Sequence, residues 1–207
     1  MSLFSKTAPT LAKTKQSHSG AILSGFRGIR LLGAAFLLVF GVATVNAQQP
    51  KSIIDEVRIG ILAHDVPGLW SGWRIETARP DINGEVILSP SVNFLDGTVR
   101  PAIGGSYNTG GGTSKAYVDA RWEVQSALGV FFGLGLGAAI HNGYRDSASI
   151  DHKALGSRVL FHIPIEIGYR FGGGQTVSVY FEHISNGYTQ KSNEGLDSLG
   201  VRYGFKF

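Results

Sequence analysis

Apolar and polar residues alternate with a period of two along most of the chain beyond residue 50. The range 116–124 carries apolar residues at every even position, with Tyr or charged residues between them. The range 159–169 carries apolar residues at every odd position, with His162 and Glu166 on the other face. In an extended strand, successive side chains point to opposite faces. The pattern therefore predicts strands that each present one apolar face.

The alternation recurs in eight segments that are bounded by Gly-rich or polar turns. They lie near 54–64, 84–94, 98–107, 116–124, 130–140, 159–169, 176–186 and 198–207. Strands of soluble sandwiches average about 5–6 residues, whereas strands that cross a bilayer need about 9–11. Charged residues on the second face of such long strands fit a polar lumen surrounded by lipid. We therefore predict an all-β fold, an eight-stranded antiparallel transmembrane β-barrel whose lumen is filled by side chains.

The first 47 residues differ from the rest of the chain. A leader that is basic and free of acids is followed by the uncharged run 31–45 and by Val45-Asn46-Ala47. This order predicts a secretory signal peptide cleaved after Ala47, with the barrel occupying 48–207. The apolar run is shorter than the ~20 residues that a membrane-spanning helix needs. The leader is also longer than usual, which suggests that translation starts further downstream.

Removing the leader changes the interpretation of charge. It holds five of the 19 Lys and Arg residues and none of the 15 acids, so the basic pI of the full chain does not indicate a nucleic-acid partner. The absence of cysteine excludes disulfides and Cys-ligated metals. The six histidines show no ligand spacing, so we expect no metal and no cofactor.

The connections between the predicted strands alternate in length. Short turns near 95–97, 126–129 and 172–175 fall at one end, and the longer connections 65–83, 107–114, 142–156 and 187–197 fall at the other. Outer-membrane barrels have short periplasmic turns and longer outer loops. The end of the seventh strand, which carries His183 and Ser185, is therefore expected at the outer rim.

Three groups with catalytic potential converge at that rim. His183 and Ser185 continue the odd, lipid-facing series of the seventh strand, and Asp197 stands in the same series at the head of the eighth. Same-face neighbours on adjacent strands lie about 5 Å apart. A serine activated by an imidazole, which a carboxylate orients, is the arrangement for nucleophilic acyl transfer. Glu194 is an alternative acid, but it has the opposite parity and belongs to the loop.

The two residues that follow the serine suggest an oxyanion site. The side-chain amide of Asn186 and the backbone N–H of Gly187 are both hydrogen-bond donors next to Ser185. Donors placed in this way stabilise the negative charge that develops on an attacked ester.

The string HISNGYTQKSNEGLD resembles the PagL-like lipid A 3-O-deacylases, which are eight-stranded outer-membrane barrels. Their pattern is His-x-Ser-Asn on the penultimate strand and Asn-x-Gly-x-acid before the last. The positions that match are His183, Ser185, Asn186, Asn193, Gly195 and Asp197. The barrel plan covers 48–207, but only these last 25 or so residues are specific. Asp197 is a departure, since the family's acid is often Glu.

The resemblance implies a serine esterase of the outer membrane that works without a metal. Its substrate would be lipid A or lipopolysaccharide, and its site would lie on the outer-leaflet side. The main alternative is a non-enzymatic small outer-membrane barrel, structural or adhesive. An outer-membrane phospholipase finds no support, because no cluster of Ca²⁺ ligands is present in the sequence. The sequence leaves open whether two barrels pair as a homodimer.

Overall fold

The computed structural model of the protein describes residues 52–76, 79–146 and 150–207. The predicted signal peptide, residues 1–47, lies outside these ranges. Within them no helix is long and apolar enough to span a membrane. The regular structure there is entirely strand: β1 Ile54–Ala63, β2 Asp81–Leu88, β3 Val92–Phe94, β4 Gly97–Asn108, β5 Lys115–Gln125, β6 Val130–His141, β7 Val159–Arg170, β8 Gln175–Ser185 and β9 Leu196–Lys206.

The strands close into an antiparallel barrel. Each of β4 to β9 pairs with its neighbour in the chain, β9 pairs with β1, β1 pairs with β2, and β2 closes the ring against β4. β2 and β3 lie end to end along the same edge of β4 and together form one position of the barrel. Pro90 falls in the gap between them, and proline has no N–H to donate to a strand ladder. The predicted eight-stranded antiparallel barrel is therefore confirmed.

The apolar series faces outward. Along β8, Val177 and Val179 are about half exposed, whereas Ser178 and Tyr180 are buried. The other strands alternate with the same sense, so apolar side chains cover the outside and polar ones fill the lumen. This distribution is the reverse of that in a soluble protein and is typical of barrels surrounded by lipid.

The lumen is filled by charged side chains that pair with one another. Glu166, on β7, receives bonds from three arginines: Arg58 at 2.6 Å, Arg121 at 2.6 Å and Arg202 at 2.5 Å. All four side chains are buried. Buried charges are tolerated when they are paired and hydrogen-bonded, and this network satisfies that requirement. The predicted side-chain-filled lumen is present.

The first long connection, 64–80 between β1 and β2, lies over the outside of the barrel in its described part, residues 64–76. Its start is fixed by the Val66 N–H, which donates to the backbone oxygen of Asp197 at 2.9 Å. A tight turn from Gly68 to Gly72 then presents Trp70, whose ring contacts Phe181 edge-on with centroids 5.3 Å apart. Phe181 belongs to the outward series of β8, so this connection covers the outer face of the last two strands.

Candidate active site

His183 and Asp197 lie directly opposite each other on β8 and β9. Nδ1 of the imidazole is 2.6 Å from Oδ1 of the carboxylate. β9 begins two residues earlier than the sequence pattern predicted, so Asp197 belongs to the strand and its pairing fixes the contact. Both residues are in the outward phase, yet His183 is only 7% exposed and Asp197 is 0% exposed. The cover comes from the connection 64–80.

That connection also holds the second oxygen of the carboxylate. The backbone N–H of Ser71 donates to Oδ2 of Asp197 at 2.7 Å. Trp70 packs edge-on against the imidazole of His183, with ring centroids 5.4 Å apart. With one donor on each oxygen, the carboxylate has a single orientation toward Nδ1. Because a carboxylate accepts, Nδ1 carries the hydrogen, and Nε2 of His183 is left as a base.

Ser185 lies two residues beyond His183 on the same face of β8 and is half-buried. Among the described residues, Nε2 of His183 has no hydrogen-bond partner, so the structure contains the His–Asp pair without a closed bond to the serine. Hydrogen bonds between a nucleophile and its base are often longer before substrate binds and tighten in the complex. Ser185 and the imidazole of His183 are neighbours on the outward face of β8.

Asn186 and Gly187 begin a tight turn after β8. The two hydrogens of the Asn186 amide are engaged by the backbone oxygens of Leu155 at 2.9 Å and Ser192 at 2.5 Å. Its side chain thus ties the strand end to two outer loops, and the donor we had expected to reach an oxyanion is occupied. Gly187 has a left-handed φ of 61°, and its N–H takes part in no backbone hydrogen bond among the described residues.

The second half of the motif shapes the wall of the site. Oδ1 of Asn193 accepts the backbone N–H of Asn186 at 2.8 Å, which joins the two halves. Gly195 has a φ of 62°, and a Cβ there would lie 3.0 Å from Cε1 of His183. Glycine at this position therefore serves both the left-handed backbone and the close approach to the imidazole.

Glu194, the alternative acid, is engaged elsewhere. One of its oxygens pairs with Arg74 at 2.5 Å, and the other accepts the backbone N–H of Ala154 at 2.5 Å. It joins outer loops to one another, while the bond to His183 is made by Asp197.

A polar network fixes the far end of the connection 64–80. Glu76 is buried and accepts the backbone N–H and the hydroxyl of Thr113, and it lies 3.6 Å from Nε2 of His64. Burial opposes ionisation, but the nearby His64 imidazole and the hydrogen bonds from Thr113 outweigh it and lower the pKa of Glu76 to about 2.

Sequence reasoning did not find Trp70 and Ser71 as parts of the site. The sequence suggests only that Trp70 is a rim aromatic, and it contains no signal that a backbone N–H from residue 71 meets a carboxylate 126 positions later. The Gly68–Gly72 turn is the one local sign of a compact structure there.

The site brings together a serine, an imidazole and a carboxylate, and no group of three or more His, Asp or Glu side chains in the described part of the chain is arranged to hold a metal. The fold defines a small membrane barrel, and these side chains are of the types that hydrolases use. Residues 58–206 match the family of lipid A 3-O-deacylases (PagL), and the chain belongs to that family. An outer-membrane location follows from the membership.

Two solved structures are similar to the chain, and the first of them has the same fold. The crystal structure of the outer membrane enzyme PagL is 21% identical, with a TM-score of 0.54, covering 73% of this chain and 99% of that one. The outer membrane protein Ail of Yersinia pestis, determined in a phospholipid bilayer nanodisc, is 14% identical with a TM-score of 0.42, covering 74% of this chain and all of that one. No curated protein matches the chain.

Proposed function

We propose that this protein hydrolyses the ester that links a hydroxy-fatty acid to the 3-position of glucosamine in lipid A. The observation that carries the proposal is the His183–Asp197 pair on the outward face, with Ser185 beside it on the same strand. A substrate embedded in the outer leaflet presents its acyl ester to this face and not to the filled lumen. Membership of the deacylase family supports the same reaction.

The reaction begins with attack by Oγ of Ser185 on the ester carbonyl. Nε2 of His183 takes the hydroxyl proton, and Asp197 keeps the imidazole in the tautomer that makes Nε2 the base. The resulting imidazolium is stabilised by the same carboxylate. His183 then returns the proton to the departing sugar oxygen, which leaves an acyl group on Ser185.

Water completes the cycle. Nε2 takes a proton from the water, the water oxygen attacks the acyl-enzyme, and Ser185 leaves with the proton as the free fatty acid forms. In our proposal the backbone N–H of Gly187 donates to the oxyanion, since it lies two residues beyond Ser185 and has no backbone partner among the described residues. Asn186 contributes by fixing the turn through Leu155 and Ser192.

The test is release of 3-hydroxy fatty acid from purified lipid A by the refolded protein in detergent. The wild-type protein should release it without added metal, and Ser185→Ala should not. A correctly folded wild-type barrel that releases no fatty acid would favour the non-enzymatic alternative. Release of a different acyl chain would show that the protein is an esterase that attacks another position of lipid A.

A further inference from the structure

A buried ion pair lies behind the proposed catalytic groups. Nζ of Lys153, in the connection 142–158, is 2.8 Å from Oδ1 of Asp65, in the connection 64–80. Both side chains are 0% exposed. Removing two charges from water costs several kcal/mol per ion in principle, so a fully buried pair is weak evidence for stability alone. Because stability alone does not explain the pair, the position of the pair in the structure calls for another explanation.

Both members of the pair contact Ser71. Nζ of Lys153 donates to the Ser71 hydroxyl at 3.2 Å, and that hydroxyl donates to Asp65 at 3.4 Å. The backbone N–H of Ser71 is the group that holds Oδ2 of Asp197. A short chain of contacts thus leads from the ion pair through one residue to the carboxylate of the proposed triad.

The backbone of Asp65 strengthens this connection. Its φ of 48° is left-handed, a conformation that a residue other than glycine adopts at a cost. Its Oδ2 accepts the backbone N–H of Glu76 at 2.5 Å, and its Oδ1 accepts that of Asp197 at 3.4 Å. One carboxylate therefore organises the start and end of the connection and touches the backbone of the catalytic acid.

We propose that Lys153 and Asp65 are positioning residues for the deacylation. They hold the Ser71 N–H on Asp197, and in this way they keep the carboxylate aligned with Nδ1 of His183. The inference rests on the proposed function, because it assigns these residues to the same reaction. Neither residue touches the substrate.

The first experiment compares Lys153→Met, Asp65→Asn and the double variant in turnover of a soluble acyl ester and of lipid A. Asparagine tolerates the left-handed backbone, so Asp65→Asn changes the charge and not the conformation. Each variant should lower kcat about 10- to 100-fold with little change in KM, as expected when the support of a catalytic group is lost. The double variant should be no slower than the single ones, since the pair acts as a unit.

The double variant also separates positioning from folding. A single replacement leaves one buried charge without a partner, which destabilises the protein, whereas the double variant leaves none. Its thermal stability should therefore recover above that of Lys153→Met while kcat stays low. Recovery of kcat together with stability would overturn the proposal and reduce the pair to a structural contact.

Lys115→Met is the matched control. Lys115 forms an equally buried pair with Glu182 at 2.7 Å, but in the lumen. The Lys115→Met substitution should lower thermal stability and leave kcat near the wild-type value. An equal loss of kcat in Lys115→Met would contradict the inference.

The role of Ser71 is tested by two substitutions at that position. Ser71→Ala removes the hydroxyl that contacts Lys153 and Asp65, so it should lower kcat as Lys153→Met does. Ser71→Pro also removes the N–H that bonds to Asp197 and should lower kcat at least as much. Wild-type kcat in either variant would contradict the proposed chain of contacts.

A spectroscopic readout distinguishes failure of this inference from failure of the proposed function. The Nδ1–H of His183 should give a downfield proton resonance, identified by its loss in His183→Gln. That resonance should shift or broaden in Lys153→Met and stay unchanged in Lys115→Met. If the wild-type protein is inactive, the proposed function is rejected. If Lys153→Met has an unchanged resonance and wild-type kcat, only the present inference is rejected.

Discussion

Two histidines on neighbouring strands each bond to a carboxylate, but they lie on opposite faces of the barrel. His162, on β7, faces the lumen, where Nδ1 contacts Asp119 at 2.9 Å and Nε2 contacts Glu182 at 3.0 Å. Its ring stacks on Tyr117 with centroids 4.0 Å apart. His183, on β8, faces outward, and within the described part of the chain its only hydrogen bond is made through Nδ1. A histidine whose two nitrogens are both occupied cannot take a proton from a substrate.

The comparison separates the pair that we propose to be catalytic from a structural one. A His–carboxylate contact occurs in both places, so the contact by itself is not diagnostic. The outer pair adds a ring nitrogen without a partner among the described residues and a half-buried serine on the same face. The lumen pair adds a second carboxylate and full burial, and we therefore assign it to stability.

The largest effect on activity is expected from substitution of His183, in the outer His183–Asp197 pair, and of Ser185 beside it. Ser185→Ala and His183→Ala should each lower kcat about 10³- to 10⁶-fold, because a triad group acts as part of a unit. Both side chains point away from the lumen, so the barrel should still fold and keep its heat-modifiable mobility. Release of 3-hydroxy fatty acid from lipid A is the measurement.

His162→Gln is the matched control for these two variants. It removes bonds to Asp119 and Glu182 in the lumen and should lower thermal stability, while the folded fraction retains near-native kcat. If His162→Gln were inactive although folded, or if His183→Ala stayed active, the roles assigned to the two histidines would be reversed.

The acid is the next test. Asp197→Asn fits the same space but cannot stabilise an imidazolium, so kcat should fall about 10³- to 10⁴-fold. Asp197→Glu should keep much of the activity, since related enzymes often have Glu there. Glu194→Ala should cost far less, because it loses only contacts to Arg74 and Ala154. Near-normal kcat in Asp197→Asn would exclude Asp197 as the acid.

A smaller effect is expected from the glycine beside the imidazole. In Gly195→Ala the new Cβ would lie 3.0 Å from Cε1 of His183, at a left-handed φ. We expect a loss of kcat of about 10-fold, as for small displacements of a catalytic group. Gly172→Ala, in a turn at the other end of the barrel, meets nothing within 4 Å and should behave as wild type. Equal kinetics for the two variants would contradict the close approach at Gly195.

The smallest effect concerns pH and the connection that covers the outer pair. The pKa of Glu76 is lowered to about 2 in the folded protein, from 4.5. Its contribution is therefore present above about pH 4.5 and is lost as the pH falls toward 2. Proteolysis within 64–80 should increase over that window in the wild-type protein. In Glu76→Gln the connection should be more susceptible at neutral pH and should lack this pH dependence.

Periodicity in the sequence was sufficient to predict the barrel, because the alternation of faces along a strand is a local property. It also predicted that His183, Ser185 and Asp197 share one face, and the pairing of β8 with β9 places the first and last together. The break at Pro90 was missed, since the apolar rhythm continues on both sides of it. The start of the last strand was predicted two residues late, at 198 and not at Leu196, because turn residues conceal where a strand begins.

The contacts that bring the outer loops to the site could not be predicted. Ser71 meets Asp197 across 126 positions of the chain and Lys153 meets Asp65 across 88, and neither contact leaves a periodic signal. The engagement of the Asn186 amide by Leu155 is of the same kind. Such contacts depend on how loops dock, which a single sequence does not specify.

The central claim is that the outward-facing group at Ser185 acts on lipid A in the membrane. The most direct measurement is mass spectrometry of lipid A from cells that express the wild-type protein or Ser185→Ala, with His162→Gln as the lumen control. The wild-type protein and the lumen variant should remove one 3-hydroxyacyl chain from the 3-position, and Ser185→Ala should leave lipid A intact. Unchanged lipid A with a folded wild-type barrel in the outer membrane, or the same loss with Ser185→Ala, would contradict the account.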